Sequence, residues 1–277
     1  MSDPNPRTGD PRPERSSPRA TLAEIARKHG TDKEGVHSYT AAYARHLEPF
    51  RDAPIRLLEI GVGGYADPMA GGESLRMWKE YFPQAQITGL DLHDKSALAE
   101  DRIAIVQGDQ SDPELLLKLA ARYGPFDVII DDGSHISSHV IASFRELFRH
   151  LNDSGIYAIE DLQTSYWERY GGSSELERPG TAMSFLLGLV DGLNHAEFDL
   201  IGYEPTEFDE GITAITFYHN LAFVSKGSNR EGSNFLVPHP RDRFHMRIAR
   251  RQPKPVRSFR SRLSGRARRI ARRMLRR

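Results

Sequence analysis

From residue 56 to residue 161 the chain alternates short apolar runs with longer stretches of helical periodicity. RLLEIGV (56–62), QITGLDL (86–92), IAIVQGD (103–109), FDVIIDD (126–132) and GIYAIED (155–161) are nearly continuous in apolar character. That is the signature of strands buried on both faces, as in a parallel sheet. Helical patterns fall between them, over residues 74–82, 113–123 and 139–150. A further helix is predicted over 182–193, followed by ITAITFYHN and LAFVSKG as an antiparallel strand pair. The pattern predicts an α/β, doubly wound sheet of seven strands, with helices on both faces and the antiparallel pair at its C-terminal end.

Ahead of the sheet, TLAEIARKH (21–29) opens on a Thr cap and places Leu22, Ile25 and Ala26 on one helical face. GTDKEG (30–35) reads as a loop, and 39–50 as a second helix stopped by Pro54. Residues 1–19 hold five of the 17 prolines among polar residues, so a disordered arm is expected there and a single domain over 20–240. The formal net charge of zero hides a division: from Arg241 to Arg277 there are 16 Lys and Arg against Asp242 alone, while the preceding residues carry 22 basic against 37 acidic groups. Within this basic tail, Val256, Phe259, Leu263, Ala267, Ile270 and Met274 recur at helical spacing. An amphipathic helix suited to an anionic membrane surface is one reading, and an arginine-rich end folded against the acidic body is the other. With no membrane-length apolar run and no signal-peptide core, the chain is expected in the cytoplasm, with the tail able to bring it to the inner face of the membrane. The absence of cysteine excludes disulfides, thiolate nucleophiles and cysteine-ligated metals, so a metal must be held by oxygen or imidazole.

Ligands of open parallel sheets bind beyond the carboxyl ends of the strands. Four of the five parallel runs end there in acids: Asp91, Asp109, the pair Asp131–Asp132, and the pair Glu160–Asp161. The first run enters EIGVGGY, in which Glu59, Gly61, Gly63, Gly64 and Tyr65 form a ligand-cradling turn, and Asp91 is placed to accept ribose hydroxyls. The third glycine of a dinucleotide fingerprint is missing, and ADPMAGGE separates the turn from its helix, which favours S-adenosylmethionine over a pyrophosphate cofactor. Asp109 and Gln110 fall near the expected adenine edge. Asp132, Glu160 and Asp161 gather three carboxylates from neighbouring strands, which predicts a hard cation, Mg²⁺ or Mn²⁺. A helix N-cap is the plainer alternative for Asp131. His135, three residues beyond Asp132, stands at the mouth of the same crevice.

These segments, together with HGTDK, HSYT, GGESLRMW, RYGPFDVIIDDGSH, IEDLQTSYW and YHNLAFVSKG, resemble the class I S-adenosylmethionine-dependent sugar O-methyltransferases. The similar group contains the mycinamicin VI and demethylmacrocin O-methyltransferases, with methylmannoside methyltransferases of actinobacterial polysaccharide pathways close to it. The resemblance covers about residues 21–232 and implies a Rossmann-like class I methyltransferase fold. It implies Asp132, Glu160 and Asp161 as metal ligands and His135 as the base, with His139 next in line, and Ser74 of GGESLRMW joins the cofactor residues. It also implies a sugar-bearing acceptor: a glycosylated metabolite, a glycolipid or an oligosaccharide. Tyr166 and Trp167 could wall the sugar or merely pack against the loop. The large N-terminal oligomerisation domain of the macrolide enzymes has no counterpart in the sequence, and a homo-oligomer remains compatible with it. The alternative is a nucleic-acid methyltransferase using the basic tail, which the acidic body and the DD…ED carboxylates disfavour.

Overall fold

The computed structural model describes residues 19–233, apart from 177, 199 and 201. Nearly all of the expected arm, the end of the expected domain and the whole basic tail lie outside the described residues.

The chain begins with α1 (Leu22–His29), capped as its sequence predicts: the Thr21 hydroxyl accepts the Glu24 N–H while the Glu24 carboxylate accepts the Thr21 N–H. A loop carrying Lys33 leads to α2 (Thr40–Leu47). Then follow β1 (Arg56–Ile60), α3 (Glu73–Tyr81), β2 (Gln86–Asp91), β3 (Ile103–Gln107), α4 (Pro113–Tyr123) and β4 (Phe126–Asp131). The chain continues through α5 (Ser137–Leu147), β5 (Leu151–Ile159), α6 (Ala182–Gly192), the short α7 (Glu207–Gly211), β6 (Ile212–Tyr218) and β7 (Leu221–Lys226). The strands form one sheet in the order β3-β2-β1-β4-β5-β7-β6. The first five are parallel, and β7 pairs antiparallel with both β5 and β6. Two starts differ from the pattern reading by more than one residue. The fifth strand begins four residues early, because Leu151 pairs with Phe126 ahead of a register shift, and α5 begins two residues early at Ser137, with Ile136 between it and the left-handed His135.

Side chains of a strand alternate between faces, and here that alternation sorts the core and the site together. Leu57, Val128, Ile130 and Ala158 join Trp78 and Tyr81 of α3 in one apolar cluster. Leu58, Ile129 and Tyr157 join Leu116, Phe144 and Leu186 in the other. Glu59 continues the Leu57 face, Asp132 the Ile130 face and Glu160 the Ala158 face. The register aligns Glu59 with Ile130 and Asp131 with Ile159, so one further step sets Asp132 beside Glu160. Asp131, by parity, faces the opposite layer.

Strand order reverses between β1 and β4, and the crevice outside their carboxyl ends is closed to within backbone contact at one point. Gly61 adopts φ +93°, and a Cβ there would lie 2.1 Å from the carbonyl oxygen of Asp132. Only glycine permits both the left-handed backbone and the approach. Gly61→Ala is therefore expected to cost about 2 kcal/mol or more. Urea denaturation reads this as a lowered midpoint; an unchanged midpoint would contradict the close β1–β4 contact.

Candidate active site

The deepest feature at the strand ends is an ammonium group among carboxylates. Lys33, 1% exposed, donates to Asp132 Oδ2 at 2.6 Å and to Glu160 Oε1 at 2.7 Å, and lies 3.3 Å from Glu59 Oε1. Burial alone would lower the pKa of this amine. The charges of Asp132, Glu160 and Glu59 outweigh burial and hold it well above its ordinary value. Tyr43, buried beneath, donates its hydroxyl to the same Glu160 oxygen. Glu59 makes no hydrogen bond of good geometry through either carboxylate oxygen, and burial pushes its pKa up to about 7 against the pull of Lys33.

Nearer the surface, Asp132, His135 and Asp161 each offer one ligand atom, and those atoms lie within 4.8 Å of one another. His135 Nε2 stands 3.7 Å from Asp161 Oδ2, and His37 Nδ1 3.9 Å from Oδ1. Tyr39, whose ring stacks on His37, donates to Asp161 Oδ1 at 2.8 Å. Burial and Asp161 together push the Tyr39 phenol upward, so it stays a donor. His135 and Asp161 are both left-handed, at φ 55° and 53°, and Thr164 ties them by donating to both backbone carbonyls. Of the expected metal ligands, then, the structure gathers Asp132 and Asp161 with His135. Glu160 sits directly behind, its carboxylate held by Lys33 and Tyr43. The two carboxylates of the cluster are hard oxygen donors, which suits Mg²⁺ or Mn²⁺.

Along the β1–β2 side, the glycine turn is braced by its own loop. Gly72 N–H donates to Val62 carbonyl, and the fully buried Lys95 donates to the carbonyls of Asp67 and Ala70. Gly63 and Gly64 are left-handed, and Tyr65 above them is 91% exposed. Asp91 accepts from the Val62 N–H through Oδ2 and from the His93 N–H through Oδ1, which fixes its carboxylate at the end of β2 with lone pairs to spare. Ser74, part-buried, lies in the first turn of α3. Asp109 accepts from the Ser111 N–H and hydroxyl. Gln110 turns inward: its amide donates to Asp131 and its oxygen accepts from the Ser134 N–H. Asp131 also accepts from Ser143 and caps no helix, since α5 begins without a side-chain cap. It is the buried pin of the DDGSH loop.

Lys33, Tyr39, Tyr43 and Lys95 are the residues that sequence reasoning missed. Lys33 falls in HGTDK and Tyr39 in HSYT, segments that resemble the methyltransferases, and Lys95 lies just beyond the QITGLDL run. A lysine in a polar loop carries no sign of burial, and its partners lie 99 and 127 residues away.

No family model matches the chain. Among curated proteins it is 50% identical over 209 residues to the 8-demethyl-8-alpha-L-rhamnosyl tetracenomycin-C 2'-O-methyltransferase of Streptomyces olivaceus, covering 75% of this chain and 55% of that protein. It is 48% identical over 214 residues to the mycinamicin VI 2''-O-methyltransferase of Micromonospora griseorubida, covering 76% and 54%. To the demethylmacrocin O-methyltransferase of Streptomyces fradiae it is 47% identical over 223 residues, covering 78% and 56%. The chain thus spans just over half the length of these relatives. Among solved structures, the MycE methyltransferase of the mycinamycin pathway, in complex with Mg, SAH and mycinamycin VI, superposes with a TM-score of 0.77 at 45% identity, over 83% of this chain and 59% of that one. The fold is the Rossmann-like class I methyltransferase fold.

The state of Glu59 makes stability pH-dependent. Its folded pKa of about 7 lies above the ordinary glutamate value, so between the two the folded protein holds an extra proton. Stability from this group is fully present below pH ~4.3 and is lost as pH rises through 7, by ~4 kcal/mol in all. Urea melts between pH 5 and 8 are expected to show a decline that Glu59→Gln flattens; equal slopes would place the titration elsewhere.

Proposed function

Because the described domain belongs to the class I S-adenosylmethionine-dependent methyltransferases, in the group that includes the mycinamicin VI and demethylmacrocin O-methyltransferases, we propose that the chain methylates a sugar hydroxyl of a glycosylated natural product. The observation that carries the reading is the meeting of Asp132, His135 and Asp161 beside the glycine turn. The cofactor half of the crevice is then Glu59, Gly61, Gly63, Gly64, Tyr65, Ser74 and Asp91, with Asp109 on the adenine side. Gln110 serves this half by holding the loop. The metal ligands are Asp132 and Asp161, with Glu160 in support.

Bound there, S-adenosylmethionine would supply an electrophilic methyl group, and a divalent ion would supply Lewis acidity toward vicinal acceptor oxygens. The chain's own groups handle the proton and the alignment. His135 Nε2 would take the proton of the acceptor hydroxyl as the methyl–sulfur bond breaks and the methyl–oxygen bond forms, and Asp161 at 3.7 Å would stabilise the resulting imidazolium. Tyr39 keeps Asp161 in place for this. Tyr166 and Trp167, each 43% exposed, offer apolar faces for a sugar ring just beyond the site. A cavity of about 440 Å³, lined by His37, Tyr39, Ala42, Arg45, Tyr218 and Asn220, gives room for an acceptor that extends beyond one sugar. A lipid-linked glycan is the second reading, favoured by the amphipathic spacing of the tail. Among the described residues no helix is long and apolar enough to cross a membrane, so that reading needs surface binding. Flotation of the full chain with anionic liposomes tests it, and failure to float would leave the glycosylated metabolite alone.

Mycinamicin VI and the rhamnosyl tetracenomycin are the trial acceptors, with mass spectrometry for methylated product. EDTA is expected to abolish turnover and Mg²⁺ or Mn²⁺ to restore it; full activity after chelation would remove the metal from the mechanism. His135→Ala should lower kcat by roughly 10²- to 10⁴-fold with unchanged affinity for Mg²⁺. A loss of Mg²⁺ affinity instead would make the histidine a ligand. Asp91→Ala is expected to weaken S-adenosylhomocysteine binding roughly 10- to 150-fold by calorimetry; normal binding would overturn the ribose assignment.

A further inference from the structure

Three carboxylates converge on Lys33 from β1 and from the ends of β4 and β5, and all are inward-facing. Removing several acids from water is costly unless a cation joins them. Lys33 is that cation, and it comes from the loop between α1 and α2, ahead of this sheet in the sequence. Its two short contacts are to Asp132 and Glu160, at 2.6 and 2.7 Å. Asp132 also belongs to the outer cluster with His135 and Asp161. The ammonium and any ion at that cluster therefore draw on the same carboxylate.

We propose that Lys33 is a tethered cation that holds the acidic crevice in its folded form without metal, and that a divalent ion at the outer cluster shares Asp132 with it instead of finding that carboxylate free. The first half stands on the contacts alone; the second rests on the metal reading above. Folding then does not require the metal, and metal affinity is held down by a fixed positive charge a few ångströms away. Lys33 is a positioning residue: its ammonium contacts carboxylates, and it acts through them.

The test uses the full chain and its K33M, K33R and K33M/E160Q variants, with thermal melts in EDTA and in excess Mg²⁺ and calorimetric titration with Mg²⁺ alone. K33M is expected to melt below the parent in EDTA, to gain more from Mg²⁺ than the parent does, and to bind Mg²⁺ roughly tenfold more tightly or better. K33R, which keeps the charge, should resemble the parent in EDTA. A merely structural lysine would give the opposite sign, because loosened carboxylates bind the ion more weakly. K33M melting like the parent in EDTA, or binding Mg²⁺ no more tightly, overturns the proposal. If K33M fails to fold even with Mg²⁺, K33M/E160Q decides: recovery of a folded state in EDTA supports the charge role, and no recovery overturns it. A parent protein that does not bind Mg²⁺ would remove the metal reading and the sharing with it, while the order of the EDTA melts still judges the tethered cation.

Discussion

A single ammonium group sets the terms for the catalytic end of this sheet. Lys33 touches carboxylates contributed by β1, by the residue after β4 and by the residue after β5. Those acids share one face because strand side chains alternate and the parallel register aligns them. Such a set repels itself, and the repulsion is strongest where water is absent. The loop between α1 and α2 meets the strand ends with its lysine inward, so the acids pack around an opposite charge. Tyr43 adds a neutral donor to Glu160, and Glu59 lessens the negative charge by holding its proton to about neutral pH.

The paired aspartates of DDGSH show how one residue of offset divides labour. Asp131 points to the α4–α5 layer and spends its lone pairs on Ser143 and Gln110. Asp132 points to the α1–α3 layer and meets Lys33. The first fixes the loop and the second is left for chemistry. Gly61 packs against the Asp132 carbonyl, so the glycine turn after β1 and the DDGSH loop after β4 are joined through main chain, where side-chain substitution can do little to separate them.

Much of this was legible in the sequence because it depends on short-range periodicity. Near-continuous apolar runs located all five parallel strands, and the acids at their ends located the crevice. Asp132, His135 and Asp161 come together as their placement at neighbouring strand ends implied. What was hidden depends on burial. Glu160 follows the parity of β5 inward to Lys33, which a list of converging acids does not reveal. Gln110 was read as facing a ligand, yet its amide is engaged with Asp131 and Ser134, because the loop after β3 leans back past β2 and β1, the two strands that separate it from β4. Lys33, Lys95 and Tyr43 look like ordinary surface or helix residues until their partners, distant in sequence, are known.

The turn between β6 and β7 bears on how the protein is made. The Asn220 carbonyl accepts the Leu162 N–H and lies 3.4 Å from the Tyr39 hydroxyl, so the last hairpin of the sheet latches the segment that carries Asp161. Lys33 and Tyr39 leave the ribosome ahead of the acidic strand ends, and the latch at Asn220 emerges after both. A growing chain thus carries its cation ahead of its acids, and its site stays unfinished until nearly the whole domain has been synthesised.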